Sequence, residues 1–441
     1  MASIKEFSGY RFDQSKFENI SDIMAVAYDR MTEEERENFS KKSLYNIVRV
    51  SNNRINGEKE GYIDAEKNLE KWVRDGILKK EKKPGMYLYE QHSIYKGTTF
   101  INRGIVCLLK LQDLDANSSV KICEETNEDS IEDRFKLISK IKANVDMING
   151  MYIDSERPLT HLINEISEEK PDMEFDMPET ITGEITNNRL WVIDDFKRIE
   201  FIKESLKNIN VFITDGHNRY MAALKYRNEC IKNNPNHTGE EPYNYIMAFL
   251  SNSYGDNMVQ LPIHRLITNK RFSEDYFIAC SQDHFKVEKI IVDTSNDELT
   301  ETMKKQIETS RRKCIIGVYF GGNYFYRLTL TDYDYIKSIS PEHSEEYKML
   351  DVNILNDLLL GELLGITKEN YEEYVTYTKR TTKGVKWVNE EKASCLFVMN
   401  TTKAERICEV VNSGETMPEA SIYIFPNVVT RIVINKISEN E

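Results

Sequence analysis

The feature that most constrains the fold of this chain is an apolar run that leads straight into a polar turn and then into a helical segment. The run NVFIT covers residues 210–214, the turn DGHNRY covers 215–220, and the segment MAALKYRNECIKNN covers 221–234. A strand followed by a short turn and a helix is typical of proteins in which helices pack on a sheet. We therefore expect an α+β (mixed α/β) fold in which this polar turn joins a strand to a helix.

Several other segments carry helix or strand patterns. Apolar residues recur at helical spacing in 64–76 and in 350–365, which predicts a helix in each. Two apolar runs within 314–330 are separated by the glycine pair 321–322, which predicts a hairpin with a two-residue turn. The apolar run 420–434 predicts a long last strand. The chain thus mixes helices and strands along its whole length.

The length of the chain requires more than one hydrophobic core. A single core rarely grows beyond about 250–300 residues, and this chain has 441 residues. We expect an N-terminal α/β lobe at 1–100, a central core at 101–270 that carries the polar turn, and a C-terminal α/β lobe at 271–441.

Charge and motif content argue against several classes of protein. The 59 Lys and Arg residues against 73 Asp and Glu residues give a net charge of −14, which disfavours nucleic acids and membrane surfaces as partners. The sequence has neither an apolar signal segment nor the roughly 18 consecutive apolar residues of a membrane helix, so we expect a cytoplasmic protein. The GxxxxGK(S/T), GxGxxG and GxSxG motifs are absent, which disfavours Walker-type NTPases, dinucleotide enzymes and α/β-hydrolases.

The residue types in the turn 215–220 predict a phosphate site. Gly216 lets the backbone approach an anion closely, and the first N–H groups of the following helix are donors at the positive end of its dipole. Arg219 can fork onto phosphate oxygens, and Asp215 and His217 are placed to hold a metal or move a proton. The alternative is a structural turn in which Asp215 caps the helix and His217 fills space. Four such groups within five positions favour the functional interpretation.

A second candidate is the acidic segment 123–126, with the sequence CEET. Glu124 can accept a proton from a substrate hydroxyl if it faces the pocket of Arg219. From the residues alone, an exposed acidic loop is the better interpretation, because a chain with a charge of −14 has many such loops.

A third candidate is the pair His264 and Arg265, which follows a strand-like run. The pair could line the same pocket and bind a carboxylate or phosphate, or it could be a turn with a surface arginine. The sequence does not decide between these interpretations.

The segment 215–227, DGHNRYMAALKYR, resembles the DGHHRY-x-x-AL-x-YR signature of a prokaryotic family that is similar to the free L-serine kinases of the ParB/sulfiredoxin-like superfamily. The resemblance extends over the chain, because further blocks look like family blocks in the family's order. These blocks are 65–91, 132–138, 242–250, 261–267, 350–365 and 414–434. The resemblance implies a ParB/sulfiredoxin-like phosphotransfer core with additional N- and C-terminal lobes.

The resemblance also implies an activity, which is phosphoryl transfer to the hydroxyl of free L-serine to give O-phospho-L-serine. A long chain such as this one is similar to the members that use inorganic pyrophosphate, and Mg²⁺ is the expected metal. A glutamate that acts as base in these kinases maps onto Glu124. We expect catalytic roles for Glu124, Asp215 and His217, phosphate binding by Gly216, Asn218, Arg219 and Thr126, serine binding by Arg134, His264 and Arg265, and metal binding by Asp215.

Two alternatives stay open. ADP or ATP could replace pyrophosphate as the donor, since relatives in the superfamily bind nucleotides through the same turn. The protein could instead be a non-catalytic, ParB-like regulator that binds CTP or another nucleotide, although the acidic charge argues against a DNA-binding protein.

The chain also departs from the family pattern. Cys123 replaces a histidine before the base, and Asn218 replaces the second histidine of the turn. Near the C-terminus, the block that reads Met-Pro-x-Lys-Ser in the family has Glu419 and Ala420 at its third and fourth positions, and Asn427 replaces a second lysine. Anion-binding roles of those two lysines therefore cannot be transferred to this chain.

Overall fold

The computed structural model describes most of the chain, and it divides the chain into two compact units. The described residues are 2–26, 31, 33–51, 60–95, 97–115, 117–178, 184–254, 259–292, 296–308, 313–426, 428 and 431–437. The first unit comprises Met1–Ile122, Thr126–Val259 and Phe425–Glu441, and the second comprises Cys123–Glu125 and Gln260–Ile424.

Strands and helices occur in both units, which confirms the expected mixed α+β class. The strands are β1 Ile4–Lys5, β2 Tyr10–Phe12, β3 Leu78–Lys80, β4 Met86–Tyr95, β5 Thr98–Lys110, β6 Val120–Ile122, β7 Ala143–Asn144, β8 Ile148–Tyr152, β9 Met173–Pro178, β10 Ile185–Ile193, β11 Val211–Asp215, β12 Tyr245–Asn252, β13 Val259–Gln260, β14 His264–Ile267, β15 Phe285–Ile291, β16 Ile315–Tyr319, β17 Tyr324–Leu330, β18 Val375–Thr378, β19 Cys395–Val398, β20 Ile424–Phe425 and β21 Asn435–Lys436.

The helices are mostly short, and one of them contains a π-helical stretch. They are α1 Glu33–Lys42, α2 Val48–Ser51, α3 Glu60–Arg74, α4 Glu128–Ile141, α5 Pro158–Ser167, α6 Phe196–Leu206, α7 His217–Asn233, α8 Glu274–Ser281, α9 Asn296–Ile307, α10 Tyr333–Ser338, α11 Glu345–Lys348, α12 Asp351–Ile354 with its π-helical continuation Leu355–Glu362, α13 Tyr371–Tyr374, α14 Thr381–Asn389 and α15 Ala404–Asn412. Within the described ranges, none of these helices is long and apolar enough to cross a membrane.

The first unit is built on a mixed nine-stranded sheet. Its order is β6-β11-β8-β12-β5-β4-β10-β9, and β1 pairs with β5. The strand β11, second from one edge, runs parallel to β6 and antiparallel to β8, and β12 runs parallel to β8. Because β4 and β5 pair along their lengths in this sheet, the domain boundary that we expected at residue 100 falls inside the first unit.

Both faces of this sheet are covered by apolar side chains. Side chains alternate between the two faces of a strand, and in β4 Tyr87 and Tyr89 pack into one core while Met86 and Leu88 pack into another. All four side chains are fully buried. The site strand β11 and the helix α7 contribute to the second of these cores through Ile213 and other residues, so packing on that face of the sheet fixes their positions.

The second unit has an antiparallel six-stranded sheet of order β15-β17-β16-β19-β14-β18. One face packs against the π-helical stretch 355–362, and the other packs against α9 and α14. The sheet places β14 beside β18 and β19, which determines the surroundings of His264 and Arg265.

Comparison with the local predictions gives confirmations and two corrections. The helices expected at 64–76 and 350–365 are present, and β16 and β17 pair as a hairpin. The turn of that hairpin is longer than expected, since residues 320–323 lie between the strands. The prediction of a long last strand is wrong. Within 420–434 the described residues form a strand only at Ile424–Phe425, because this part of the chain crosses from one unit to the other instead of joining either large sheet.

A glycine in β5 tests the packing of the first unit. A Cβ atom on Gly104 would lie 2.6 Å from the carbonyl oxygen of Leu250 and against the ring of Phe249. We expect Gly104→Ala to lower the free energy of unfolding by about 2 kcal/mol, because neither the backbone nor the buried ring can move freely. The exposed Thr99 provides the control. Urea denaturation of Thr99→Ala should differ from wild type by less than about 0.5 kcal/mol, and equal effects of the two substitutions would contradict the packing described.

Candidate functional site

The helix after the polar turn starts earlier than its apolar pattern indicates. β11 ends at Asp215, Gly216 adopts φ +85°, and α7 begins at His217 rather than at 221. A left-handed conformation at this position suits glycine because it has no Cβ atom. The polar residues His217, Asn218 and Arg219 therefore form the first turn of a 17-residue helix, where backbone N–H groups lack partners in the preceding turn.

Arg219 folds back over the start of its own helix. Its Nη2 donates to Oδ2 of Asp215 at 3.0 Å, and its Nη1 donates to the carbonyl oxygen of Met147. A Cβ atom on Gly216 would lie 3.0 Å from the guanidinium carbon of Arg219. A residue with a Cβ atom at position 216 would be strained by the positive φ, and it would also press on the guanidinium of Arg219.

Two further arginines of the first unit are buried with aspartate partners. Arg134 on α4 is 6% exposed and donates through Nε and Nη2 to Oδ2 of Asp133. Arg431 is fully buried, forms an ion pair of 2.7 Å with Oδ1 of Asp146, and donates to the carbonyl oxygen of Val26 at 3.0 Å. Pairing with carboxylates is what permits charges at such depth.

Arg134, Arg219 and Arg431 lie close together, and the first two line a small cavity. The cavity has a volume of about 40 Å³, and its lining includes Arg134, Asp146 and Arg219. Burial lowers the pKa of Arg431, the positive charges of Arg134 and Arg219 lower it further, and Asp146 opposes the shift. The first unit therefore concentrates three cations at one place in a chain of net charge −14.

Sequence reasoning missed Arg431, although a signal was present. Arg431 is a single charge within the apolar run VVTRIVI of 428–434. A charge in such a run is either solvent-exposed or paired inside the protein, so the pattern could have identified it. Its partner Asp146 could not have been identified, because 285 positions separate the two residues.

His217 and Asn218 hold the turn in place. The ring of His217 is 7% exposed, and its Nε2 donates to the carbonyl oxygen of Ile213 at 2.8 Å. Oδ1 of Asn218 accepts the backbone N–H of Asn127, the N-cap residue of α4, at 3.0 Å. Thr126 directly precedes this cap and is half-buried. The structure thus ties the two helix starts together, and phosphate contacts from His217, Asn218 and Thr126 stay predictions.

Glu124 belongs to the second unit and is buried, at 8% exposure. Its Oε1 accepts the backbone N–H groups of Ser421, at 2.9 Å, and Ile422. The backbone beside it pairs with Met417, whose N–H donates to the carbonyl oxygen of Cys123 at 2.8 Å. The interpretation of this segment as an exposed acidic loop is therefore wrong, because Glu124 is enclosed by the chain around Ser421.

His264 is a core residue, and the structure contradicts its predicted contact with substrate. The ring is 2% exposed, its Nδ1 accepts the N–H of Met399 at 3.1 Å, and its Nε2 contacts the hydroxyl of Thr381 at 2.9 Å. Burial and the nearby charge of Arg265 lower the pKa of His264 to about 3. A neutral ring with both nitrogens engaged cannot bind a serine carboxylate.

Arg265 is also enclosed by protein, so the surface arginine considered from the sequence is wrong. It is 2% exposed, and its guanidinium lies over the ring of Tyr377 at 5.4 Å. Nη1 donates to the carbonyl oxygen of Ile263, and Nη2 donates to that of Ala420 at 2.9 Å. Both terminal nitrogens therefore contact backbone, which corrects the predicted clamp on a substrate carboxylate.

The predicted metal has few protein ligands available to it in the described part of the chain. Among the described residues, no group of three His, Cys, Asp or Glu side chains is arranged to hold a metal. Mg²⁺ commonly takes only one or two protein carboxylates together with substrate phosphates, so Asp215 fits as a single donor.

The two positions at which this chain lacks the lysines of the family pattern are Ala420 and Asn427. Ala420 has φ +58°, and Asn427 lies outside the described residues.

Comparison with known proteins assigns the chain to a family. The family described as "Protein of unknown function (DUF1015)" matches residues 4–353, and the chain belongs to it. A stretch of 218 residues is 25% identical to probable polyketide synthase 41 of Dictyostelium discoideum. That stretch covers 46% of this chain and only 8% of the synthase.

Solved structures give distant likenesses. A free serine kinase in complex with AMP has a TM-score of 0.36 at 10% identity and covers 74% of this chain and 92% of its own. A conserved hypothetical protein from Pyrococcus furiosus has a TM-score of 0.34 at 10% identity, and the match covers 74% of this chain and 95% of the other. SbnI with a C-terminal truncation from Staphylococcus aureus has a TM-score of 0.35 at 10% identity, and the match covers 75% of this chain and 90% of the other. TM-scores this low do not establish a shared fold.

A pair of glycines tests the design of the turn. Gly216 and Gly239 both have positive φ, but a Cβ atom meets the guanidinium of Arg219 only at position 216 and has no neighbour within 4 Å at position 239. We expect Gly239→Ala to cost about 1 kcal/mol of unfolding free energy from backbone strain alone. Gly216→Ala should cost more, because its Cβ atom would also press on the guanidinium of Arg219. Urea denaturation measures both, and equal losses of stability would refute the role given to Gly216.

The buried His264 predicts a dependence of stability on pH. Its folded pKa of about 3 lies below the ordinary value of 6.5, so its contribution is complete above pH 6.5 and is lost as the pH falls towards 3. Between pH 7 and 5, the advantage of wild type over His264→Gln in unfolding free energy should shrink by roughly 2 kcal/mol. Urea denaturation at both pH values measures it, with the exposed His161 changed to Gln as control. A constant advantage would show that His264 takes up a proton in the folded state.

Proposed function

We propose that this protein is a phosphotransferase that moves a phosphoryl group from inorganic pyrophosphate to the hydroxyl of free L-serine, giving O-phospho-L-serine and phosphate. The observation that supports it most is the junction of β11 and α7, where Gly216 and Arg219 meet at a helix N-terminus. The sequence resemblance to free L-serine kinases supplies the acceptor and the donor. A place in serine and cysteine metabolism in the cytoplasm is part of the proposal.

The junction provides what a phosphate group needs. The first turn of α7 presents backbone N–H groups at the positive end of the helix dipole. The guanidinium of Arg219 lies directly above Gly216, and its planar fork matches two phosphate oxygens. An incoming phosphate would replace Asp215 as the partner of Arg219. Phosphoryl transfer depends mainly on such positioning and charge stabilisation.

Asp215 has a second role in the proposal. Released from Arg219, its carboxylate would hold Mg²⁺ together with phosphate oxygens of the donor. The ion would neutralise charge on the phosphates. Arg134, which lines the cavity with Arg219, remains the candidate for binding the carboxylate of serine.

Glu124 is proposed as the base that accepts the proton of the serine hydroxyl. A base needs a fixed position and an ionised carboxylate. Two backbone N–H groups hold Oε1 of Glu124, and such donors match a negative charge. The proton moves from the hydroxyl to this carboxylate as the hydroxyl oxygen bonds to phosphorus and the bond to the leaving phosphate breaks.

A donor panel tests the proposal. Purified full-length protein with L-serine and Mg²⁺ would be offered pyrophosphate, ADP, ATP or CTP, and products would be followed by phosphorus NMR. We expect phosphoserine and phosphate with pyrophosphate. Phosphoserine formed only with ADP or ATP would overturn the proposal that pyrophosphate is the donor. Binding of CTP without any phosphoserine would favour the non-catalytic regulator.

Variants of Glu124 and Arg219 separate chemistry from folding. Glu124→Gln keeps an oxygen that can accept both backbone N–H groups but is not a base, so we expect kcat to fall at least about 100-fold while thermal stability changes little. Glu124→Ala should lower both. Arg219→Lys keeps the charge without the fork and should raise KM for pyrophosphate at least about tenfold. Normal turnover in Glu124→Gln would leave Glu124 with a structural role only.

A further inference from the structure

Arg265 and Glu124 contact opposite ends of one peptide group in the second unit. The peptide that joins Ala420 to Ser421 accepts a hydrogen bond at its carbonyl oxygen from Nη2 of Arg265, at 2.9 Å. Its N–H donates to Oε1 of Glu124, also at 2.9 Å. A cation therefore lies at the negative end of the peptide dipole and an anion at its positive end.

The burial of this arrangement makes it strong. Arg265 is 2% exposed and Glu124 is 8% exposed, and hydrogen bonds to charged groups are stronger where water is excluded. In the described part of the chain, Arg265 forms no ion pair with a carboxylate and contacts carbonyl oxygens and a ring instead. The peptide group at Ala420 thus connects a buried cation to the buried carboxylate of Glu124.

The backbone at this peptide is held in an uncommon conformation. Ala420 has φ +58°, a left-handed conformation that costs a residue with a Cβ atom about 1 kcal/mol or more. The hydroxyl of Ser421 donates to the carbonyl oxygen of Pro418 at 2.6 Å, which closes the turn. The guanidinium of Arg265 also lies over the ring of Tyr377, 5.4 Å from its centroid. These contacts act together with the N–H of Ile422, which donates to the same oxygen of Glu124, to keep the N–H of Ser421 directed at the carboxylate.

We infer that Arg265 is a positioning residue, which orients the Ala420–Ser421 peptide so that its N–H holds the carboxylate of Glu124. It acts through the backbone and does not touch a substrate. The inference rests on the proposed function for the role of Glu124 as base, whereas the contact between the peptide and Glu124 can be measured without any activity.

The contact itself is measured by NMR. Full-length protein labelled with ¹⁵N-serine gives an amide signal for Ser421, assigned by its loss in Ser421→Ala. We expect Arg265→Met to shift this signal and to speed its hydrogen exchange at least about tenfold, because the peptide can then turn away from Glu124. Arg271 is the matched control, since it is exposed and donates to the carbonyl oxygen of Glu391. An unchanged Ser421 amide in Arg265→Met would overturn the inference.

Kinetics then test the consequence for the reaction. Arg265→Met should lower kcat at least about tenfold, leave KM for pyrophosphate within about twofold, and move the acidic limb of the pH profile to higher pH. Arg265→Lys should recover part of kcat, because it keeps one donor for Ala420, and it serves in both experiments if Arg265→Met does not fold. An unchanged pH profile with an altered KM would overturn positioning in favour of direct substrate binding. If the wild-type protein makes no phosphoserine but Arg265→Met alters the Ser421 amide, the proposed function is overturned and the contact between the peptide and Glu124 still stands.

Discussion

The proposed chemistry of this protein depends on one backbone conformation, the positive φ of Gly216. Because this residue turns the chain at the end of β11, α7 can begin at once, and its first turn carries His217, Asn218 and Arg219. The same missing Cβ atom leaves room for the guanidinium of Arg219. The core that contains Ile213 also contains residues of α7, so packing on one face of the nine-stranded sheet holds both elements of the turn in place.

The chain as a whole is acidic, whereas this site brings several arginines together. The net charge of −14 suits neither nucleic acids nor anionic membranes, yet Arg134, Arg219 and Arg431 gather in the first unit with one aspartate each. Buried ion pairs of this kind add little net stability but are costly to break singly. In the proposed site, a phosphate oxygen would replace Asp215 as the partner of Arg219, and Mg²⁺ bound with the phosphate would take up the charge of Asp215.

The sequence predicted the parts that depend on local patterns and missed those that depend on distant pairing. The strand, the turn and the helix at 210–234 follow from apolar periodicity and from one glycine, and the mixed class follows from their repetition. Burial of His264 and Arg265 could not be seen, because it depends on their neighbours in β18 and β19, more than a hundred positions away. The same limit applies to Glu124, whose partners at 421 and 422 define its surroundings, and to Arg431, whose partner is Asp146.

The most direct test of the phosphate site is a crystal structure of the full-length protein with pyrophosphate and Mg²⁺. We expect density for one phosphate group against the first turn of α7, within hydrogen-bond distance of the guanidinium of Arg219, which will have left Asp215. Pyrophosphate bound elsewhere, with Arg219 still paired to Asp215 and to the carbonyl oxygen of Met147, would contradict the phosphate site at Gly216.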